Sequence, residues 1–370
     1  MNQLSVSKRI VIKIGSALLV DETNATINHS WLTSLIDDVA ALIDKGMEVI
    51  LVSSGAIALG KLILNLKHKH LTLDRKQAAA ATGQIQLLQL YQRLLQAKAL
   101  QAAQVLLTLG DTENRRHYIN LRNTLSQLLD LKVLPIINEN DSVATDELRY
   151  GDNDRLAARV AQMVGADTLV LLSDVDGLYN VDPHHNRHAQ LIPEVKVLSE
   201  EILATANDSH GDYGSGGMVT KLAAAKIAMQ SGCHMLITNG KVPHPLQRFI
   251  DSNIGTWFIP NISPQRARKN WLYSHLQTAG IITIDAGAAS ALRQGASLLA
   301  VGIVNTSEDF SKGAAVEVVN QDNQLIARGL SNYSGPELGK ISGRNSGEIK
   351  VILGYRGCGE VIHRDNLVLL

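Results

Sequence analysis

Residues 10–16 read Ile10-Val11-Ile12-Lys13-Ile14-Gly15-Ser16, an apolar run that stops at glycine and serine and carries one lysine inside it. A short apolar run of this kind reads as a strand buried on both faces. Such strands belong to mostly parallel sheets, whose crossover connections lay helices over both sides. The lysine is the anomaly. A buried ammonium is costly unless an anion pairs with it, so Lys13 marks a place where negative charge is expected. An edge lysine that snorkels to water is the plain alternative.

Working outward, the same alternation repeats to about residue 260. Trp31 to Lys45 predicts a helix and Val49 to Val52 a strand. Gln84 to Gln101 predicts a helix, Ala103 to Leu109 a strand, Leu121 to Asp130 a helix and Val133 to Ile137 a strand. Asn153 to Val164, Thr220 to Ser231 (helices), Thr168 to Leu172 and His234 to Thr238 (strands) complete the series. Strands alternating with helices predict an α/β fold, a three-layer α/β/α sandwich whose ligands bind at the carboxyl ends of the strands. After Ser263-Pro264 and a basic connector, Arg266-Ala267-Arg268-Lys269, the pattern changes. Short glycine-punctuated runs at Ile281 to Ile284, Leu298 to Val304, Ala315 to Val319, Leu325 to Leu330 and Val351 to Leu353 predict a small β-rich domain with one helix near Gly287 to Arg293. The expected division is residues 1–260, a linker over 261–277, and a second domain over 278–370.

Composition fits two domains of this kind. The chain has 370 residues, 45% of them hydrophobic and 4% aromatic, so its cores are built from aliphatic side chains and alanine. Its 35 basic and 35 acidic residues cancel, which removes any general attraction to polyanions. No stretch reaches the ~18 uninterrupted apolar residues of a membrane span, since Ile281 to Val304 is broken by Asp285 and Arg293. The amino-terminal residues run into the first strand without the apolar stretch of a signal peptide, and a cytoplasmic location is expected. Cys233 and Cys358 have no partner spacing and read as reduced structural thiols.

Four loops that follow strands in the first domain carry the chemistry. Lys13-Ile14-Gly15-Ser16 ends the first strand. Ser53-Ser54-Gly55-Ala56 ends the next with small residues whose amides can face a ligand. Asn138-Glu139-Asn140-Asp141, with Gly151-Asp152-Asn153-Asp154 close behind it, concentrates carboxylates and amides. Capping of the helix that opens at Asn153 accounts for one of these, not for the set. Gly214-Ser215-Gly216-Gly217-Met218-Val219-Thr220-Lys221 leads into a helix, and glycine amides with a helix amino end favour phosphate. It lacks P-loop spacing.

These loops, in this order, resemble the amino acid kinase family. The likeness runs through Val11 to Ser16, Ser54 to Ala58, Lys76 to Gln84, Asn120 to Leu125, Ile137 to Val143, Gly151 to Asp154, Ser173 to Tyr179 and Gly216 to Lys221. It narrows to the branch that phosphorylates the side-chain carboxylate of L-glutamate at the start of proline biosynthesis. Beyond the kinase region, Ile284 to Ala288, Phe310 to Gly313, Ile352 to Tyr355 and Val361 to Asp365 resemble a PUA domain.

The resemblance implies that Lys13 and Lys221 contact the transferred phosphoryl group and that Asp154 holds those lysines. It implies that Ser54, Asp141 and Asn153, with Asp152 nearby, bind glutamate. Ser173 and Asp174 would meet the nucleotide, and Ser215, Gly216, Gly217, Met218, Val219, Thr220 and Lys221 would wrap its phosphates. Ala17 departs from relatives that carry a hydroxyl residue there. The implied co-substrate is ATP with Mg²⁺, for which no protein ligand is identified. The implied inhibitor is proline, and the implied assembly is a homo-oligomer, dimer or tetramer. A glutamate carboxyl, with a pKa near ~4.3, is already ionised at neutral pH, so no general base is required. The obstacle is repulsion between that anion and the triphosphate, which two separated lysines and convergent amides answer. The competing readings are another phosphotransferase of the same family and an RNA-binding protein of PUA type. Against the second stand a net charge of only +2 over residues 261–370 and aromatic side chains too scattered to form a stacking platform.

Overall fold

The computed structural model describes residues 3–369 apart from 22–25, 67–70, 145–152, 184–185, 187, 208–216, 265, 268–277, 308 and 356. The chain divides into two compact units, Met1–Asn114 with Asn120–Pro264, and Arg115–Ile119 with Gln265–Leu370.

The first unit is built on an eight-stranded sheet. Its strands are β1 (Arg9–Ile14), β4 (Glu48–Ser53), β5 (Gln101–Leu107), β6 (Val133–Glu139), β7 (Thr168–Ser173), β8 (Glu194–Val195), β9 (His234–Asn239) and β10 (Thr256–Phe258). They lie in the order β5-β6-β4-β1-β7-β9-β10-β8, while β2 (Val20–Asp21) and β3 (Thr26–Ile27) form a separate hairpin. Every pair is parallel except β9 with β10. This is the α/β sandwich expected from the alternation of strands and helices. β1 lies inside it, paired to β4 on one side and β7 on the other, so Ile14 is level with Ser53 and with Leu172.

Strand alternation decides which way each β1 side chain points. Ile10, Ile12 and Ile14 enter a core shared with Trp31, Leu35 and Val39 of the His29–Asp44 helix and Leu87, Tyr91 and Leu95 of the Leu73–Gln96 helix. Lys13, one residue out of step, is carried to the opposite layer, where the Asn153–Val164 helix packs on β1 and on the Met218–Gln230 helix.

The Leu73–Gln96 helix begins eleven residues before the expected Gln84. Its first turn is polar, Asp74 to Gln77 after Leu73, and the next is a run of four alanines, Ala78 to Ala81, without a clear apolar stripe. They pack instead by close backbone approach to the Ala56–Ile63 helix: a Cβ on Gly83 would lie 1.9 Å from the Ala56 carbonyl oxygen, and one on Gly60 would lie 1.8 Å from that of Ala79. Glycine is required at both positions.

The second unit holds a five-stranded sheet in the order β12-β11-β13-β14-β15, formed by β11 (Gly280–Ile284), β12 (Ile303–Thr306), β13 (Ala315–Val319), β14 (Leu325–Leu330) and β15 (Leu367–Leu369). Its core includes Ile282, Ile284, Val316, Val318, Leu338, Ile341 and Val361. One expected strand fails here. Val351 to Leu353 lies in the Ile349–Leu353 helix, which ends on Gly354 at φ 77°. An apolar run this short does not distinguish helix from strand, and the left-handed glycine decides it. No helix among the described residues is long and apolar enough to cross a membrane.

Candidate active site

The four strands β6, β4, β1 and β7 end side by side, and three of the loops singled out in the sequence leave from the ends of β1, β4 and β6; the fourth, expected to follow a strand, comes after the Glu200–Asn207 helix and leads into the Met218–Gln230 helix. At the centre, Lys13 Nζ lies 2.6 Å from Asp154 Oδ1 and Lys221 Nζ lies 3.8 Å from Asp154 Oδ2. Thr220 Oγ1 donates to the same Oδ2 at 3.0 Å. The three charged residues come from β1 and from two packed helices, and all are buried, Asp154 to 1% exposure and the lysines to 8% and 7%. Burial alone would favour the neutral acid. The charges of Lys13 and Lys221 and the bonds from Lys13 and Thr220 outweigh it, and the Asp154 carboxyl is held below the usual carboxylate range.

The lysine that broke the apolar pattern of β1 therefore has its anion, and that anion is shared. Two ammonium groups converge on one carboxylate beside the amino end of the Met218–Gln230 helix, which Gly217 caps without a side-chain bond. First-turn N–H groups and the positive end of the helix dipole make that place favourable for phosphate. Met218 and Val219 open the first turn, and Val219 is exposed. Ser215 and Gly216 lie outside the described residues, as does Asp152.

A second cluster is built from neutral amides. Asn153 Nδ2 donates to Ser54 Oγ at 2.8 Å, to Asn138 Oδ1 at 3.1 Å and to the Ser53 carbonyl at 3.4 Å. Asn138 Oδ1 also accepts the Glu139 backbone N–H at 2.9 Å, and Asn138 Nδ2 donates to Gln84 Oε1 at 2.6 Å. Ser54 and Gly55 leave β4 by a sharp turn in which Gly55 takes φ 104°, a conformation that glycine permits. Asn153 is buried, and its Oδ1 is a buried acceptor with no hydrogen-bond partner among the described residues. Such an atom is costly unless a ligand donates to it.

Asp141 lines a cavity of about 480 Å³ together with Gln84, Glu139 and residues of the Leu73–Gln96 helix. Burial pushes its carboxyl up to about 6. On the β7 side, Ser173 is buried with its Oγ donating to Asp174 Oδ1 at 3.2 Å, while Asp174 itself is exposed. Next to them Asp176 accepts from Asn239 Nδ2 at 2.9 Å and from the Tyr179 hydroxyl at 3.1 Å.

The structure thus brings Lys13, Asp154, Lys221 and Thr220 together, and Ser54 with Asn153. Sequence reasoning left Asn138 without a separate role and passed over Gln84. A signal existed for the latter, because Gln77, Gln84 and Tyr91 recur every seven residues on one helix. Among the described residues no group of three His, Cys, Asp or Glu side chains could hold a metal ion. Asp154, the buried carboxylate at the centre, is already taken by two lysines.

Residues 8–239 match the amino acid kinase family and residues 280–353 match the PUA domain. The chain is 52% identical over 369 residues to the glutamate 5-kinase of Paramagnetospirillum magneticum, covering 100% of both chains. It is 52% identical over 366 residues to the glutamate 5-kinase of Allorhizobium ampelinum, covering 99% of this chain and 93% of the relative. With that of Rhodospirillum rubrum it shares 51% identity over 359 residues, 97% of this chain and 96% of the relative.

Proposed function

The chain belongs to the amino acid kinase family, and from that membership we propose that it transfers the γ-phosphoryl group of ATP to the side-chain carboxylate of L-glutamate, giving L-glutamyl 5-phosphate and ADP. The observation that carries the reading, beside full-length identity to glutamate 5-kinases, is the pair of buried lysines on one carboxylate at the strand ends. We assign the transfer to residues 1–260, with 261–277 linking them to a PUA domain over 278–370.

In this reading Lys13 and Lys221, held by Asp154, meet the oxygens of the phosphoryl group as it leaves ADP and reaches the glutamate carboxylate. Asp154 fixes the two ammonium groups before substrate arrives, so little reorganisation is needed at the moment of transfer. The amino end of the Met218–Gln230 helix, with Gly217, Met218 and Val219 and the preceding Ser215 and Gly216, takes the nucleotide phosphates. Ser173 and Asp174 face the remainder of the nucleotide. Ser54, Asn153 and Asp141, with Asp152, hold glutamate, and the unpartnered Asn153 Oδ1 accepts from its α-ammonium group. Mg²⁺ would accompany ATP, bridging phosphate oxygens, and no protein ligand is assigned to it. The reaction would start proline biosynthesis in the cytoplasm, in a homo-oligomer.

Acyl phosphate trapped with hydroxylamine tests the substrate: ATP-dependent hydroxamate is expected with glutamate and not with aspartate, N-acetylglutamate or carbamate. Hydroxamate from another acid in preference to glutamate would reject the assignment. Proline, sharing the amino acid site, should raise the KM for glutamate without lowering kcat, and a falling kcat would place it elsewhere.

Asp141 gives the site a pH dependence. Its carboxyl titrates at about 6 because of burial, whereas the γ-carboxyl of glutamate is ionised down to ~4.3. An ionised Asp141 attracts the substrate ammonium and a protonated one does not. The kcat/KM for glutamate is therefore expected to fall as pH drops through about 6, and Asp141→Asn should be weaker at neutral pH and lack that inflection. An identical acid limb in the variant would assign the titration to another group.

A further inference from the structure

The amide cluster has a direction, and backbone groups set it. The Glu139 N–H can only donate, so the side-chain atom of Asn138 that meets it is Oδ1, and the other end of that amide is the donor Nδ2. The group that Nδ2 meets must then be an acceptor, which Gln84 supplies with Oε1 at 2.6 Å. The Asn153 atom meeting Asn138 Oδ1 must be a donor, and the Ser53 carbonyl, which can only accept, requires the same of it. Both ends of the chain agree. They leave Asn153 Oδ1 as the acceptor, without a hydrogen-bond partner among the described residues.

The helix that carries Gln84 is held at three other positions. On the same face of the Leu73–Gln96 helix, seven residues before it, Gln77 Nε2 donates to the Ala144 carbonyl at 3.2 Å. Seven residues after it, the Tyr91 hydroxyl is 2.9 Å from Ser53 Oγ in the buried core at the end of β4. One residue before it, Gly83 fixes the distance to the Ala56–Ile63 helix by backbone contact. Residues seven apart stand on one helix face. A single rigid helix face thus meets the ends of β4 and β6 and the loop beyond β6.

We propose that Gln84 is a positioning residue for the amino acid substrate: by accepting from Asn138 Nδ2 it braces the Asn138–Asn153 amide chain, whose direction the backbone sets, so that Asn153 Oδ1 is held in place to receive the substrate's α-ammonium group. Without that acceptor the donor end of the Asn138 amide is left unpaired, and Asn138 is held by the Glu139 N–H alone as it accepts from Asn153. The proposal rests on the reading of glutamate as substrate, because it assigns the orphan acceptor to an amino group.

The test compares Gln84→Met with Gln84→Glu in steady-state kinetics. Methionine keeps the length and removes the amide, and glutamate keeps an acceptor oxygen whether or not it is protonated. Gln84→Met is expected to raise the KM for glutamate about tenfold, as for loss of one ordering hydrogen bond, with the KM for ATP within about twofold of wild type. Gln84→Glu should recover most of the affinity. In an Asn138→Ala background, Gln84→Met should add less than about twofold, since the chain is already cut. Should Gln84→Met fold poorly, Gln84→Ala serves, because the side chain borders a cavity and its truncation buries nothing new. An unchanged glutamate KM in the methionine variant overturns the proposal. So does a glutamate variant as impaired as the methionine one, or a parallel rise in the KM for ATP. Wild-type protein without glutamate-dependent ADP release would instead overturn the substrate reading, and the proposal with it.

Discussion

Lys221→Ala is expected to lower kcat by about two to three orders of magnitude at saturating ATP and glutamate, with little loss of thermal stability. The size follows from removing one preorganised positive charge from the path of the phosphoryl group. The small stability effect follows from the geometry, since Lys221 is the more distant partner of Asp154, at 3.8 Å against 2.6 Å for Lys13. Asp154 keeps its shorter ion pair and its bond from Thr220 when Lys221 is gone. Lys13→Ala should cost a similar factor in kcat and in addition lower Tm, because it strips the carboxylate of its close counter-charge in a buried setting. Turnover near wild type in either variant would sink the assignment of the lysine pair.

Asp154→Asn should damage folding and catalysis together. The substitution keeps the shape of the side chain and removes the charge that compensates two buried ammonium groups. Leaving a buried charge unpaired costs about 3–5 kcal/mol, which for a domain of this size lowers Tm by roughly 10 °C. A drop in kcat of about two orders of magnitude is expected with it, because the lysines are no longer preset. Nucleotide should offset part of the stability loss, so ATP is expected to raise Tm more in the variant than in the wild type. Equal shifts with ATP would mean that the lysines do not face the phosphates. The acid side can be checked as well. The Asp154 carboxyl is depressed in the fold, so its contribution to stability is complete above the ordinary carboxylate value of ~3.9 and is lost as pH falls through the lower folded value.

The sheet was legible in the sequence because its strands are continuous apolar runs, and so was the site, because polar loops sit where those runs stop. Lys13 announced a counter-charge simply by standing inside an apolar run. The partner's identity came from the family resemblance, which named Asp154, and not from the pattern of residues: Asp154 lies 141 positions along the chain from Lys13, and their meeting depends on the parity of β1 and on the packing of the Asn153–Val164 helix over it. The extent of the Leu73–Gln96 helix was hidden for a different reason. Its early turns bury small residues against backbone, and a contact of that kind leaves no apolar stripe to count. Val351 to Leu353 shows the opposite failure, an apolar run whose partner is a helix turn and not a strand.

The place of β1 in the sheet has a consequence for how the protein is made. The strand is made well before one of its two neighbours, since one of its edges is covered by β7, which begins at Thr168. At the usual pace of synthesis, roughly 5–20 residues per second, the Ile10–Ile14 edge waits on the order of 10 to 30 s for that neighbour. Through that interval the nascent chain offers an apolar strand with unpaired backbone groups to any other chain nearby. The central position that places Lys13 at the strand ends therefore leaves β1 with an open edge until β7 has been made.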